Sequence, residues 1–265
     1  MATVKNIYQY LDSVAPFALQ MDFDNSGFLV GRGDRPVNRI LVALDITQAV
    51  IDEAKQKNCQ LIVSHHPVIF VPAKSVTDED LNGRLLLELV ENGIAAICAH
   101  TNLDAVADGV NDCLAQTLAL TQIGQLHPDG VDPSGAPYGI GRIGLAHSEG
   151  LSAAEYAVYV KEKLGTSSVR YADSGKPVHK VAVGGGSCGS MLLDALAAGC
   201  DTFVTSDVKY NQYLEAKALG ITLMDAGHYA TENVVCAPLV KRLSQAFPEI
   251  EVLLSHEHQE VYGNV

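Results

Sequence analysis

Leu61-Ile62-Val63-Ser64-His65-His66-Pro67-Val68-Ile69-Phe70 is the stretch that decides the fold. Its first four residues are apolar and rich in β-branched side chains, which is the pattern of a short strand buried in a parallel sheet. Proline cannot continue a central ladder, and it holds the residue before it extended. The strand therefore ends at His65-His66 and brings both imidazoles to the carboxyl edge of the sheet, where open α/β folds place their ligands. Consecutive side chains on an extended chain point to opposite sides. Two adjacent histidines thus need either two separate partners or two neighbouring metal ions. As a bland alternative, both are satisfied, partly exposed side chains. Acidic residues and further histidines arriving at the same edge would decide between these readings.

Working outward, Arg39 to Asp45 reads as a strand, and Thr47 can cap a helix running to about Asn58. After the His65-His66 strand comes a helix from Asp78 to Asn92, stopped by Gly93. A strand, Ile94 to Ala99, then runs into His100-Thr101-Asn102-Leu103-Asp104, and a helix follows from about Gly109 to Leu120. Residues 1–20 read as a helix. Residues 121–137, rich in Gly, Pro, Asp and Gln, read as a linker, and Ile140 to Val169 as strand, helix (capped by Ser152) and strand. A second copy of the plan follows. It has a strand at His179 to Val183, a glycine loop at Gly184 to Ser190, a helix, a strand at Thr202 to Ser206, a helix, and a strand at Ile221 to Met224. This last strand ends in Asp225-Ala226-Gly227-His228. A long helix from Glu232 to about Phe247 and a strand from Glu251 to Ser255 complete the chain. The expected fold is therefore α/β, with two related lobes arising by internal duplication. Residues 1–125 form the first and 126–265 the second, and the C-terminal helix is free to pack back on the first.

The repeat carries chemistry. The third strand of one copy ends in His100-x-x-x-Asp104, and that of the other in His228-x-x-x-Glu232. At strand ends the chain gathers His65, His66, Asp104, His228 and Glu232, with His100 and Asp225 nearby. Three to four protein ligands per ion, with carboxylates able to bridge, is the requirement of a dinuclear site. Imidazoles mixed with carboxylates suit zinc, iron, manganese or cobalt and do not single one out. For Glu232 alone, the plainer explanation is a negative charge complementing a helix N-terminus.

Composition narrows the function class. The chain has 265 residues, 48% of them hydrophobic, and a formal net charge of −13. This acidity argues against nucleic acid or an anionic membrane as the default partner, although it leaves room for a local basic pocket. No apolar run is long enough to span a bilayer. The first residues lack the charged start and apolar stretch of a signal peptide. The six cysteines, Cys59, Cys98, Cys113, Cys188, Cys200 and Cys236, show no CxxC spacing and read as reduced and structural in a cytoplasmic protein. Cys188, in the glycine loop, is the strongest candidate for a reactive thiol. The loop itself could cradle a phosphate but lacks the lysine of a Walker loop, so tight turning is its simpler role. Gly139-x-Gly141-x-x-Gly144 does not open a helix, as a dinucleotide site requires. His127, His147 and His179 read as solvated, and His256 and His258 as surface residues.

Four blocks, Ser64-His65-His66-Pro67, Ala99-His100-Thr101-Asn102-Leu103-Asp104, Thr205-Ser206-Asp207-Val208-Lys209-Tyr210 and Gly227-His228-Tyr229-x-x-Glu232, resemble the signatures of the GTP cyclohydrolase I type 2 homologue family. Its members are also called NIF-three-like dinuclear-metal proteins. Asp24-Asn25-x-Gly27-x-x-x-Gly31 resembles the N-terminal block of that family, with Phe23 where a tryptophan is often found. The resemblance covers most of the chain. It implies that His65, His66, Asp104, His228 and Glu232 are the metal ligands, holding two divalent ions per chain. It implies that His100 stands beside them in a supporting or proton-transfer role. It also implies two lobes with the metals in the cleft between them, and a ring-shaped homohexamer. Residues 121–178 leave no room for the extra domain that some relatives insert there. The chemistry expected is metal-dependent hydrolysis of a nucleotide or another phosphorylated small molecule. The alternative is a non-catalytic, metal-loaded ring that binds a partner protein or metabolite.

Overall fold

The structure, a computed structural model, describes residues 1–132 and 135–265. Pro133 and Ser134, within the expected linker, lie outside the described residues. In chain order the elements are α1 (Val4–Val14), β1 (Gly27–Val30), β2 (Arg39–Ala43), α2 (Gln48–Gln56), β3 (Leu61–Ser64), α3 (Leu81–Glu91), β4 (Ala95–Cys98) and α4 (Thr101–Ala105). Then come α5 (Val110–Thr117), β5 (Thr121–Gln125), the short pair β6 (Gly130–Val131) and β7 (Pro137–Tyr138), β8 (Arg142–Leu145), α6 (Ala153–Leu164), β9 (Arg170–Ala172) and β10 (Lys180–Val183). The remainder is α7 (Leu192–Ala197), β11 (Thr202–Thr205), α8 (Tyr210–Leu219), β12 (Thr222–Asp225), α9 (His228–Glu232), α10 (Cys236–Ala246) and β13 (Glu251–Leu254). No helix among the described residues is long and apolar enough to cross a membrane.

The chain forms two compact units, Met1–Leu103 with Cys236–Gln259, and Asp104–Val235 with Glu260–Val265. They divide the sequence at Leu103/Asp104, whereas the composition of the expected linker suggested 125/126. Helix packing and backbone pairing account for the difference: Leu114 of α5 joins the core of Tyr156, Val181 and Met224. Thr121 to Gln125 is the edge strand β5, paired antiparallel with β8, and β13 pairs parallel with β2. In each case the hydrogen bonding assigns the segment to a sheet that local composition does not announce.

In the first unit the strand order is β1-β4-β3-β2-β13, with β1 antiparallel and the others parallel. Residues of β3 and β4 are buried throughout, as in a sheet covered on both faces. Val50, Ile51 and Ala54 of α2 and Leu85, Leu86 and Leu89 of α3 pack on Leu41, Ile62 and Ala96. Thr47 caps α2 by accepting from the Val50 N–H, and Asp80 caps α3 by accepting from the Gly83 N–H at 2.8 Å. The register Ala43↔Ser64↔Cys98 aligns the carboxyl ends of β2, β3 and β4 at one edge.

The second unit has the order β5-β8-β10-β11-β12-β9, with β10, β11 and β12 parallel. One core layer sets Tyr156 and Val160 of α6, Leu114 of α5 and Leu118 just after it against Val181, Val183, Val204 and Met224. A second sets Leu192, Ala195 and Ala216 against Ala182, Phe203 and Leu223. Both units thus contain strand, helix, strand, helix, strand, as the sequence repeat implies.

The long helix expected from Glu232 to Phe247 is two helices separated by a 3-10 turn, Asn233–Val235. Pro238 is the cause. It has no N–H to donate and its ring clashes with the carbonyl four residues back, so an uninterrupted helix through Val234 is excluded. A fresh start at Cys236 places the proline in a first turn, where it is tolerated.

Candidate metal centre

In the first unit, His65 is buried and His66 half-buried at the end of β3. The backbone N–H of His66 donates to Leu44 O at 2.8 Å, and Ser64 Oγ donates to His66 O at 2.8 Å. These bonds fix the turn that the proline enforces. His65 Nδ1 lies 2.8 Å from Ala99 O, His66 Nδ1 2.7 Å from Asp45 Oδ1, and His100 Nδ1 2.7 Å from Asp24 Oδ1.

Asp24 also accepts from Thr101 N–H at 3.0 Å, Thr101 Oγ1 at 2.5 Å and Ser26 Oγ at 2.7 Å. Burial alone would push its carboxyl up. The hydrogen bonds from His100, Thr101 and Ser26 outweigh that and hold it well below the usual carboxylate range. Asp45 behaves alike: burial raises it, and hydrogen bonds from His258 and His66 bring it far lower. Ionised carboxylates and carbonyls only accept, so each of the three imidazoles carries its hydrogen on Nδ1 and presents the Nε2 lone pair. That is the tautomer metal-binding histidines adopt. One ring nitrogen from each of His65, His66 and His100 lies within 4.8 Å of the others.

In the second unit, β12 runs into Asp225, and Gly227 (φ +90°) turns the chain so that His228 opens α9. His228 and Glu232 are four residues apart on one helix face, with His228 Nε2 2.9 Å from Glu232 Oε2. His228 Nδ1 lies 2.6 Å from Asp207 Oδ2, so here too Nδ1 holds the hydrogen. A lone pair facing a carboxylate at that distance calls for a positive centre, either a proton or a metal ion. A carboxylate oxygen of Asp104, a buried residue, lies within 4.8 Å of one from Glu232.

The backbone around these two carboxylates is closely held. Asn111, wholly buried, donates from Nδ2 to Asp104 O at 3.0 Å and accepts the Gly185 N–H at 2.9 Å. Arg142, also buried, donates to Ala105 O and Val106 O, just after Asp104, and pairs with Asp112 at 2.6 Å. Gly186 (φ +64°) lies so close to Glu232 that a Cβ there would be 2.0 Å from Oε1.

Of the donor residues expected at strand ends, His65 and His66 directly follow β3 in the first unit, whereas in the second Asp104 lies in the short helix α4 and His228 and Glu232 lie in α9. The sequence left His100 beside the ligands, yet its ring nitrogen belongs to the same group as those of His65 and His66. Asp45 and Asp207, which orient His66 and His228, went unassigned; their places after β2 and β11 were the available signal. His258, expected on the surface, is buried, with Nε2 2.8 Å from Asp45 Oδ2. Cys188 is a poor nucleophile. Burial first, then the charges of Asp104 and Glu232, push its thiol far above the ordinary range. Its glycine loop wraps Glu232, and the Gly139-Gly141-Gly144 segment leads into β8 with no helix after it. Lys209 is exposed at the start of α8.

Residues 2–260 match the family described as Duf34/NIF3 (NGG1p interacting factor 3). A Clostridium acetobutylicum protein named GTP cyclohydrolase 1 type 2 homolog is 34% identical over 250 residues, covering 94% of this chain and 92% of its own. A Streptomyces coelicolor protein of the same name is 36% identical, covering 89% and 84%. Among solved structures, a Staphylococcus aureus hypothetical protein superposes with a TM-score of 0.93 at 28% identity, covering 99% of each chain.

Proposed function

The chain belongs to the Duf34/NIF3 family, and from that premise we propose that it is a metal-dependent hydrolase with a dinuclear metal centre. His65, His66, Asp104, His228 and Glu232 would hold two divalent transition-metal ions per chain. The observation that carries this reading is the uniform anchoring of His65, His66, His100 and His228. Each Nδ1 is tied to a carbonyl or carboxylate oxygen, so each Nε2 carries the lone pair that can take a metal ion or, at His100, a proton. A structural histidine needs no such uniformity.

Bound divalent ions supply Lewis acidity and acidify a coordinated water toward neutral pH. The protein's own residues do the rest. Asp104 and Glu232 bring the negative charge that offsets two cations, and their confinement by Asn111, Arg142 and the glycine loop sets their spacing. Asp24, hydrogen-bonded to His100 Nδ1, fixes the ring's orientation and keeps its hydrogen on Nδ1, so His100 Nε2 would take a proton from the attacking water and return it to the leaving group. The relatives' name indicates a nucleotide substrate, consistent with an anionic group drawn to two cations in an otherwise acidic protein. A homohexamer in the cytoplasm completes the proposal.

Elemental analysis of metal-replete protein tests it, with about two ions per chain expected. His65→Ala with Glu232→Ala should lose ions, and Asp104→Ala should lose metal and turnover together. His100→Ala should keep the metals and slow turnover by about a hundredfold or more. Loaded wild type that turns over no nucleotide, phosphoester or cyclic amide would favour the non-catalytic ring. A monomer by light scattering would remove the hexamer.

A further inference from the structure

We propose that Phe70 is a stacking platform that selects a planar heteroaromatic ring. The proposal rests on the reading of the histidine-rich edge as a substrate site, and it names what the substrate must carry besides an anionic group. Of the six phenylalanines in the chain, Phe23 and Phe70 are the most exposed, at 65% and 46%, whereas Phe17 and Phe203 are buried. Phe23 immediately precedes Asp24, the carboxylate that orients His100. The Phe70 ring centroid lies 6.1 Å from that of His100, with the planes at 84°.

The position of Phe70 is fixed. Asn25 Nδ2 donates to Ile69 O, so the loop that orients His100 also holds the backbone just before Phe70. An aromatic side chain left half open beside three imidazoles forfeits burial that would stabilise the fold. Edge-to-face contact with His100 steadies the ring and leaves phenyl surface open to solvent. A ligand using both features needs a flat apolar face for Phe70 and polar atoms for the donors next to it. A nucleobase has both, and aromatic stacking tolerates any base because each has a π-face. A sugar phosphate or a simple phosphoester has no flat face to offer.

The test uses full-length, metal-loaded protein with guanosine 5′-monophosphate and ribose 5-phosphate as probes, by calorimetry. Phe70→Ala should weaken the nucleotide by about tenfold or more and leave ribose 5-phosphate within about twofold. Phe70→Trp should restore nucleotide binding. Because the chain has no tryptophan, that variant also introduces a single fluorophore, which the nucleotide should quench and ribose 5-phosphate should not.

Equal losses for both probes, or an unchanged nucleotide affinity in Phe70→Ala, would overturn the platform. So would wild-type protein with full metal content that binds neither probe; in that case the metal assignment stands and the ring preference falls. Protein that takes up no metal fails the metal reading instead, and quenching of the Phe70→Trp variant still decides the platform.

Discussion

Replacing Gly186 with alanine tests whether the glycine loop exists to fit Glu232. Gly186 has φ +64°, and an added Cβ would stand 2.0 Å from Glu232 Oε1, 2.9 Å from its Cδ and 3.3 Å from His228 Cε1. Two costs follow. The left-handed backbone costs about 1–2 kcal/mol for a residue with a Cβ. The collision is separate: ordinary contact begins near 3.4 Å, so the carboxylate must retreat by more than an ångström. That movement breaks its 2.9 Å approach to His228. Gly199→Ala separates the two costs, because Gly199 has φ +75° and nothing within 4 Å of an added Cβ. Gly199→Ala should lose about 1–2 kcal/mol in chemical denaturation, and Gly186→Ala should lose more because the collision adds to the backbone cost. Only Gly186→Ala should also lose metal affinity, by about tenfold to a hundredfold, in titration against a competing chelator. Equal stability losses with unchanged metal affinity in both would refute the reasoning.

Three other outcomes are expected. Glu53 is buried in α2, where it accepts from Lys57 Nζ at 2.6 Å, Ser255 Oγ at 2.5 Å and the His256 N–H. Burial pushes its carboxyl up, and these bonds hold it below its usual range. A depressed carboxyl contributes stability that is present above its unfolded value of 4.5 and lost as pH falls through the folded value. Glu53→Gln should therefore cost about 1–3 kcal/mol at pH 7, and the gap from wild type should close on acidification; a gap that does not vary with pH would count against it. Arg142→Met should cost about 3–5 kcal/mol in denaturation, since it strands Asp112 and the carbonyls after Asp104; a loss under 1 kcal/mol would mean those bonds are dispensable. Native protein at pH 8 should leave Cys188 unmodified by iodoacetamide while urea-unfolded protein reacts at every cysteine. Modification of native Cys188 at the rate of a free thiol would contradict its raised thiol.

Hydrophobic patterning and punctuation made the strand ends legible in the sequence. Pro67 had to stop β3, so His65 and His66 had to reach the carboxyl edge. The i, i+4 spacing of His228 and Glu232 had to put them on one helical face. Capping by Thr47 and Ser152 was equally readable, because a cap is a contact within a few residues. Such facts depend on local backbone geometry, and the sequence states local geometry directly.

Tertiary structure decided whatever depends on contact between distant segments. The edge strands Thr121–Gln125 and Glu251–Leu254 owe their sheets to hydrogen bonds with β8 and β2, far off in the chain. His258 is buried because Asp45 receives it, and Asp24 orients His100 across 76 positions of sequence. The tautomer of each histidine is likewise set by whichever oxygen folding brings to Nδ1. Sequence named the chemically capable residues; packing chose their hydrogen-bond partners, because a hydrogen bond depends on distance in space and not on distance along the chain.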